Sequence, residues 1–463
     1  MKRLLILPFL LLITVPHQGQ GLFEETLDTP PAATNNLPIS GSIRSEFFIG
    51  QDPPSGVPLL QSAFTAINLE SRFSSGNYSA YAEGRLRLGR EFGQPLASGI
   101  LREGWIKASV SFLTFTIGRQ ILNWNHTGMS NPAGEITPVN TLLRTSLDDE
   151  RNLGQWMLKT DLNLSPASRL SLVWMPLYTP SVLMTRQAEY PGFVSFEEPS
   201  SPAMELRNSS GALRYQRYGD RMDAGWTLFY GYHHWPGIDL ADLTIDSVSG
   251  MPVSAGLQEK PYQLFRVKGY ASIPLHGSLL RIEAAWQESP QDLSSSPPAP
   301  LPEIRYAAEW EITRSTLTLL AGYSGKYIPD YTEPPQPDLL AGDFDPTLFS
   351  QYAAAGPLAL QEQFRQQVVA FNRLMNYQMK QTYHSLYLAA QCDLFHNTLT
   401  VHLPVMYTIT SEEFSLHPAL EASLSDHVAI KTGAGLLKGP PESLFELVGP
   451  ALNAGYLSIR VTF

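Results

Sequence analysis

The sequence is poor in cysteine, in charged residues and in long apolar runs. Cys392 is the only cysteine in 463 residues, so no disulfide can form within the chain. Charged residues make up 16% of the chain, against roughly 25% in soluble domains. Beyond Val15, no apolar run approaches the roughly 20 residues that a membrane-spanning helix needs. These shortages argue against a disulfide-stapled domain, an ordinary soluble enzyme and a helical membrane protein.

The first residues have the features of an export signal. A basic start at Lys2 and Arg3 precedes an apolar run that ends at Val15, and this run is too short to span a membrane. Gly21 supplies the small residue expected before a cleavage site. We therefore predict a signal peptide over residues 1–21.

In the rest of the chain, apolar and polar residues alternate singly. From Leu280 to Gln287 the even positions are apolar, whereas Arg281 and Glu283 occupy odd positions. This period of two predicts strands with one apolar face and one polar face. The pattern predicts eighteen strands, or sixteen if one weakly patterned pair of strands is loop. The eighteen predicted strands are 39–50, 61–74, 77–90, 99–110, 112–123, 155–164, 169–176, 205–218, 221–233, 262–273, 278–287, 302–313, 316–327, 382–394, 398–408, 414–424, 428–437 and 453–463.

The connections between these strands alternate in length. Turn-forming residues such as Gly219-Asp220 and Arg314-Ser315 make the short connections. Short periplasmic turns and long extracellular loops are typical of outer-membrane barrels. The predicted fold class is therefore an all-β transmembrane antiparallel barrel over residues 39–463, preceded by a periplasmic segment over 22–38. The predicted long loops are 91–98, 124–154, 177–204, 234–261, 288–301, 328–381 and 438–452.

The chain ends in an amphipathic strand. Gly455, Leu457, Ile459, Val461 and Phe463 alternate with polar or aromatic residues. A terminal strand with a final aromatic residue resembles the recognition signal of bacterial outer-membrane proteins. The resemblance implies that Phe463 is an assembly signal and that the barrel-assembly machinery is a partner.

The charged face of such a barrel must point inward. An arginine or lysine on the lipid face near mid-membrane costs roughly 2–4 kcal/mol. A barrel of this size encloses more space than side chains can fill, so we expect an aqueous lumen. Both signs of charge are present, and no ion selectivity is predicted. The predicted pore-lining residues are Arg44, Arg72, Arg85, Arg87, Arg266, Lys268, Arg281, Glu283, Arg305, Glu309, Glu311 and Arg460.

The longest connection contains a helical pattern. Apolar residues from Leu360 to Met375 recur at helical spacing, which predicts a short helix over about 358–376. An amphipathic helix in an extracellular loop could narrow the mouth of the pore, and the alternative is packing on the outer rim. We take Arg365 and Arg373 as candidate constriction residues.

One local motif carries a family resemblance. The strand that contains Gly118–Gln120 is followed by Trp124 and then by an Asn-Pro pair at 131–132. This arrangement resembles a group of large porin-like proteins of the Gram-negative outer membrane, which usually have Trp-Gly where this chain has Trp-Asn. Apart from the general barrel pattern, the match covers only this strand and loop. It implies passive or substrate-selective diffusion without a cofactor.

The predicted function is a channel for small solutes, and a transporter for hydrophobic compounds or a structural barrel are alternatives. We predict no catalytic residue, no metal and no cofactor. His126 and Ser130 offer hydrolase residue types, but within one loop and not on rigid strands. His233 and His234 are adjacent in a strand and point to opposite faces. An exporter of acidic polysaccharide would need an arginine-dominated lumen, whereas acids are interspersed here.

The expected partners follow from this class of protein. They are outer-membrane lipid, the barrel-assembly machinery, a small-molecule solute and, as a further option, a second copy of the chain. The formal net charge of −11 argues against a nucleic-acid partner. The expected location is the outer membrane of a Gram-negative bacterium, after removal of the signal peptide.

Overall fold

The computed structural model describes residues 39–51, 57–129, 136–187, 190–246, 252–290, 299–335 and 357–463. The predicted signal peptide at 1–21 and the predicted segment at 22–38 lie outside the described residues. Ser130 and the Asn-Pro pair at 131–132 lie outside them as well.

Most of the described residues form β-strands. Two α-helices, α1 (Pro357–Met375) and α2 (Leu444–Leu452), accompany them. The strands are β1 (Ile39–Gln51), β2 (Pro58–Ser75), β3 (Tyr78–Glu91), β4 (Gln94–Val110), β5 (Leu113–Gln120), β6 (Gln155–Ser165), β7 (Ser168–Met175), β8 (Val194–Phe196), β9 (Ser210–Arg217), β10 (Asp223–Tyr232), β11 (Gly237–Ile245), β12 (Pro252–Lys260), β13 (Gln263–Leu275), β14 (Ser278–Glu288), β15 (Glu303–Arg314), β16 (Leu317–Tyr327), β17 (Thr382–Leu394), β18 (Leu399–Thr408), β19 (Glu413–Leu416), β20 (Ala419–Ser423), β21 (Val428–Lys438) and β22 (Ala454–Thr462).

The large sheet closes on itself. Nineteen of the strands pair in one antiparallel sheet, and β1 pairs with β22 to complete the circle. β19 and β20 both pair with β18 and β21, so they are two segments of one barrel strand, interrupted at His417 and Pro418. Proline has no N–H for the ladder, which accounts for the break. The barrel therefore has 18 strands, and the predicted fold class is confirmed.

Two predicted boundaries are wrong. The predicted long loop at 91–98 is a tight turn, because only Phe92 and Gly93 separate β3 from β4. These residues have φ of 48° and 74°, as a type I′ hairpin turn requires. The strand predicted at 205–218 begins only at Ser210, because Leu206–Asn208 forms a 3-10 turn.

Side chains of the barrel alternate between an apolar outer face and a mainly polar inner face. In β1, Phe47 is exposed on the outside, whereas Arg44 and Glu46 are buried inside. The same alternation holds around the barrel and agrees with the predicted faces. Large aromatic side chains exposed on the outside include Tyr78, Trp174, Trp226 and Trp310.

The long loops build a small second layer, here called the cap. β12 pairs with β11 in antiparallel and with β8 in parallel fashion. The amide of Asn372 in α1 exchanges two hydrogen bonds of 2.7 Å with the backbone of Ile238 in β11. The helix predicted at 358–376 is confirmed, whereas the cap sheet and α2 were not predicted. Among the described residues, no helix is long and apolar enough to cross a membrane. The buried core of the cap is formed by Leu183, Ile238, Ala255, Leu257, Leu360, Phe364, Val368 and Phe371.

Candidate pore lumen

The twelve predicted lining residues belong to strands of the barrel and lie on its inner face. Most of them are buried, which an empty water-filled tube would not produce. The partly exposed ones are Arg72, Arg305, Glu311 and Arg460. The buried ones are Arg44, Arg85, Arg87, Arg266, Lys268, Arg281, Glu283 and Glu309.

The connection between β5 and β6 covers many of these residues from inside. It is described over 121–129 and 136–154 and is here called the lumen segment. Its contacts reach β13–β15 at one end and β1–β4 at the other. The lumen segment therefore crosses the interior of the barrel.

The first anchor of the lumen segment is on β13 and β15. Lys268 Nζ donates to the carbonyl of Trp124 over 2.8 Å. The Glu309 carboxylate accepts from the backbone N–H of Gly128 at 2.5 Å and of Met129 at 2.8 Å. Each bond involves an ionised group, and such bonds are about twice as strong as neutral ones.

The second anchor is Glu150, which lies buried against β1, β2 and β3. Its carboxylate forms ion pairs with Arg44 and, at 3.3 Å, with Arg85. Asn68 Nδ2 and Thr145 Oγ1 donate to it over 2.9 Å each. The Arg85 guanidinium also donates to the Glu150 backbone carbonyl at 2.9 Å, so side chain and main chain are both fixed.

These contacts keep Glu150 ionised. Burial by itself raises the pKa of a carboxyl, because it removes water from the charged form. The hydrogen bond and charge of Arg44, together with the charge of Arg85, outweigh burial and lower the pKa of Glu150 to about 2. The second anchor is therefore charged throughout the neutral and mildly acidic range.

Arg144 joins the lumen segment to α2. Its guanidinium donates to the carbonyls of Ala451 and Leu452 at 2.7 Å and to Gln61 Oε1 at 2.6 Å. A cation at the carboxyl end of a helix is favourable, because the helix dipole is negative there. Arg87 Nη2 in turn donates to the Arg144 carbonyl at 3.0 Å. The lumen segment, α2, β2 and β3 are thus joined at one buried arginine.

His126 lies in the first part of the lumen segment. Its backbone N–H donates to Glu283 at 3.3 Å, and its ring stands edge-on to Tyr270. Burial, followed by the charges of Arg214 and Lys268, lowers the pKa of His126 to about 3. The imidazole is therefore neutral when the segment is in place.

Apolar packing fills one side of the lumen. Side chains of the lumen segment meet inward-facing side chains of β6, β7, β9, β10 and β13, and the ring of Trp124 also lies 5.3 Å from the guanidinium of Arg214. This side of the interior resembles the core of a soluble protein. The buried cluster comprises Leu122, Trp124, Ile136, Met157, Val173, Met175, Ala212, Phe229, Tyr262, Leu264 and Ala299.

The opposite side of the lumen contains a cavity. A cavity of about 580 Å³ lies between the lumen segment and the inner wall of β18–β22 and is here called the passage. Ala419, Gly435 and Ala454 line this wall and leave space. The hydroxyl of Tyr456 lies only 2.6 Å from where a Cβ on Gly433 would be, so the ring lies flat against the sheet.

Charged and titratable side chains face the passage from both sides. Asp148 and Arg151 come from the lumen segment, and Lys431, His402 and His417 come from the wall. Asp148 and Arg151 are 3.6 Å apart, and their side chains are 90% and 41% exposed. They are thus accessible to a solute, unlike the charges that anchor the segment.

Most other lumenal charges neutralise one another. They form ion pairs between adjacent strands or between near neighbours on the inner face, and these pairs do not contact the lumen segment. The contacts join Arg281 to Glu311 at 2.7 Å, Arg305 to Glu303 at 2.5 Å and Arg460 to Glu421 at 3.0 Å.

The longest connection contacts the inner wall of the barrel through Gln378, a residue that was not predicted to do so. Arg365 is exposed on α1, and Arg373 donates to the Thr332 carbonyl at 3.2 Å. Gln378, just after α1, is buried and donates to Glu303 at 2.8 Å. The constriction role of Arg365 and Arg373 stays a prediction, whereas Gln378 is a side chain of this connection that does reach the inner wall.

Arg102 is a further lumenal residue that the alternation missed. Its guanidinium donates to Glu83 at 2.8 Å and to the Asp149 carbonyl at 2.5 Å. A bulge opposite Glu83 and Gly84 turns this residue inward next to Glu103. A bulge adds one residue to one strand, so a rule of strict alternation assigns one of the two to the wrong face.

Comparison with known proteins reveals similarity of structure without similarity of sequence. No protein-family description and no curated protein sequence matches the chain. A BenF-like porin from Pseudomonas fluorescens Pf-5 is 10% identical, with a TM-score of 0.53 over 93% of this chain and 100% of that one. Acinetobacter baumannii OccAB3 is 9% identical, with a TM-score of 0.52 over 92% of this chain and 98% of that one. Acinetobacter baumannii OccAB2 is 9% identical, with a TM-score of 0.53 over 94% and 99%. At these identities the likeness concerns the fold alone, and the chain shares its closed barrel with these solved structures.

Proposed function

We propose that this protein is an outer-membrane channel through which small solutes diffuse, passively or selectively, past the lumen segment. The observation that carries the proposal is the passage of about 580 Å³ beside a segment anchored across the lumen. A barrel made only for mechanical strength has no need of such a cavity. Solutes would meet Asp148 and Arg151 on one side and Lys431 on the other.

The apolar outer face supports a location in the outer membrane. Backbone groups in lipid must be paired, and a closed barrel meets this requirement with strands. The exposed aromatic residues suit the two membrane interfaces, where such side chains form girdles. The similarity to a BenF-like porin agrees with a channel in this membrane.

Export and assembly complete the proposal. The signal peptide over 1–21 would be removed after export, and Phe463 would be read by the barrel-assembly machinery. Phe463 exchanges backbone hydrogen bonds of 2.9 and 3.0 Å with Gly41, so the last residue also takes part in closing the barrel. A homo-oligomer is a further option, and neither a cofactor nor a catalytic residue is part of the proposal.

Single-channel recording tests the proposal. The mature protein would be folded in detergent, checked for heat-modifiable migration and inserted into planar lipid bilayers in potassium chloride. Discrete open steps are expected, because the passage is aqueous. A heat-modifiable barrel that gives no steps would overturn the channel proposal and favour a barrel for hydrophobic solutes or a structural role. Deleting 358–376 in the same assay would test the predicted constriction by the loop helix.

A further inference from the structure

The wall of the passage carries an aromatic ring beside a row of small residues. Tyr456 of β22 is the register partner of Gly433 in β21, and Gly433 is in turn the partner of Ala419 in β20. Gly433 and Ala419 leave room for the ring of Tyr456 to lie down. Its hydroxyl is 2.6 Å from where a Cβ on Gly433 would be, so one face of the ring covers the glycine. The other face is turned to the passage.

Phe48 of β1 holds this ring in position. Phe48 is the register partner of Tyr456 on its other side, and the two ring centroids are 5.7 Å apart. Phe48 is itself 4% exposed and stacks on Phe64 at a centroid distance of 6.1 Å. Tyr456 therefore has a buried aromatic neighbour and a glycine backbone beneath it, yet stays half-buried. Its free face is a fixed, flat, apolar surface, here called the platform.

There is space next to the platform for a small molecule. Towards the connection that contains α2, the next inward-facing register partners are Gly435 and Ala454, which are again small. The whole passage has a volume of about 580 Å³. This volume lies within the roughly 300–1,000 Å³ that is usual for small-molecule sites.

The lumen segment presents an ion pair opposite the platform. Asp148 and Arg151 are 3.6 Å apart, and both side chains are accessible from the passage. Asp148 is close enough to Tyr456 and to His417 for its charge to act on both of them. Hydrogen-bond acceptors and donors with full charge therefore stand across the passage from an apolar ring.

The accessible cations of the passage have carboxylate partners. Arg151 pairs with Asp148, and Lys431 of the wall lies 3.9 Å from Glu421. Arg144 also lines the passage, but it is buried and donates to the last carbonyls of α2. A charged solute would have to compete with these existing pairs. A solute that has hydroxyl groups and no charge can bond to both members of each pair.

We propose that the passage binds an uncharged sugar ring on the platform, an inference that rests on the proposed channel function. A pyranose has an apolar face of C–H groups, which suits the ring of Tyr456. Its hydroxyl groups donate to Asp148 and accept from Arg151 and Lys431, and hydrogen bonds to charged groups are the stronger ones. A fully apolar solute of the same size would cover these charges without bonding to them, which is unfavourable.

Single-channel recording in potassium chloride with added glucose tests the site. Glucose should interrupt the current reversibly, with a saturating dependence on its concentration, because it stays on the platform. Sorbitol carries similar hydroxyl groups on an open chain and should interrupt the current at least tenfold less effectively. Open channels that respond equally to glucose and sorbitol, or that respond to benzoate and not to glucose, would overturn the sugar site and leave the channel function intact. A folded barrel without open steps would overturn both proposals.

Substitutions locate the site within the passage. Tyr456→Ala should raise the half-saturating glucose concentration about tenfold, because the platform is lost. Tyr456→Phe keeps the ring and should resemble the wild type. Tyr407→Ala, which removes an exposed tyrosine from the outer face of β18, is the matched control.

Asp148→Asn gives a second reading that does not depend on the packing of the wall. Asp148 is exposed, and its loss replaces a bond to a charged group by a neutral one, so glucose should bind about fivefold more weakly. Tyr456→Ala channels with an unchanged half-saturating glucose concentration would contradict the proposal. An unchanged value in Asp148→Asn would contradict it as well.

Discussion

Arg44 on β1 and Glu150 on the lumen segment form an ion pair inside the barrel, with side chains that are only 2% and 7% exposed. Two charges taken out of water repay their loss of hydration only when the geometry is good and the remaining polar atoms are bonded. Arg85, Asn68 and Thr145 provide those bonds for Glu150. The pair therefore fixes where the lumen segment lies, and with it the width of the passage.

Glu150→Gln should release the second anchor. The substitution keeps the shape of the side chain but leaves Arg44 and Arg85 buried with one counter-charge fewer, at a cost of about 3–5 kcal/mol. We expect a larger single-channel conductance and more current noise than in the wild-type barrel. Asp149→Asn is the matched control, because it removes the same charge from an exposed neighbouring residue. Equal conductance in Glu150→Gln and wild type would show that the anchor does not set the width of the passage.

Glu309→Gln should release the first anchor. A glutamine keeps one acceptor oxygen but presents an amide N–H₂ to the backbone of Gly128 or Met129, so one or both of those bonds are lost. Bonds to charged groups contribute about 1.5–3 kcal/mol each. Limited trypsin digestion of the folded barrel, followed by mass spectrometry, should then detect new cleavage after Arg144 and Arg151.

The control for this experiment is a second glutamate on the same face of β15. Glu311 pairs with Arg281 at 2.7 Å and is part of the wall-to-wall charge pairs, so Glu311→Gln should leave the segment protected. If both variants are cleaved equally, the whole barrel has loosened and the contacts of Glu309 with the segment are not the reason.

Low pH should loosen the lumen segment, and the protonation of His126 should determine the pH at which the loosening begins. The pKa of His126 is about 3 in the docked segment, compared with an ordinary value of 6.5. Because the docked value is the lower one, docking is fully stable above about pH 6.5. The free energy that stabilises docking decreases by up to about 1.4 kcal/mol for each pH unit as the pH falls from 6.5 towards 3. Current noise in single-channel records should therefore increase progressively below about pH 6.

His126→Gln separates this histidine from the carboxylate anchor. Glutamine takes up no proton, so the variant should show no change between pH 6 and about pH 4.5. Below that range Glu150 becomes protonated when released, because its pKa is about 2 when docked and 4.5 otherwise. An acid response in His126→Gln that still begins near pH 6 would assign the effect to another titrating group.

The barrel strands were predictable from the sequence because the pattern that defines them lies within each strand. Each strand must present apolar side chains to one side and polar ones to the other, and this leaves a period of two in the sequence. Strands such as 278–287 and 382–394 were therefore placed almost to the residue. The exceptions include the bulge beside Arg102, the hairpin at Phe92 and the 3-10 turn before Ser210, where geometry and not alternation sets the boundary.

The interior of the barrel was not predictable in the same way. Glu150 and Arg144 lie in a long connection without periodicity, and their partners are dozens to hundreds of positions away along the chain. The sequence identified Arg44, Arg85 and Lys268 as inward-facing but could not show that they hold the lumen segment. An inward-facing arginine can either contact a solute or hold the lumen segment. Which of the two it does depends on the residues that the long connection places next to it, and these are known only from the folded structure.

Phe463→Ala should impair assembly more than folding. Its backbone would still pair with Gly41, whereas the exposed aromatic ring proposed as the assembly signal would be gone. We expect less heat-modifiable barrel in the outer-membrane fraction of cells but normal refolding of purified protein in detergent. Leu457→Ala, which removes an exposed apolar side chain from the same strand, is the control. Equal loss in both variants would mean that strand hydrophobicity matters and the terminal aromatic does not.

The charges of the passage should set ion preference, and those of the loop helix should not. Arg151→Gln removes an exposed cation from the passage, so the reversal potential in a potassium chloride gradient should move towards the potassium equilibrium potential. Asp148→Asn should move it in the opposite direction, towards that of chloride. Both residues lie on the lumen segment and carry opposite charges, so opposite shifts cannot arise from a general change in width.

Arg365→Gln completes the comparison. Arg365 is exposed on α1, whose buried face packs into the cap, and its removal should leave the reversal potential unchanged. A shift in Arg365→Gln without a shift in Arg151→Gln would place the selective constriction at the loop helix. The lumen segment would then be a structural brace, and ions would sense the charge of α1 before they reach the passage.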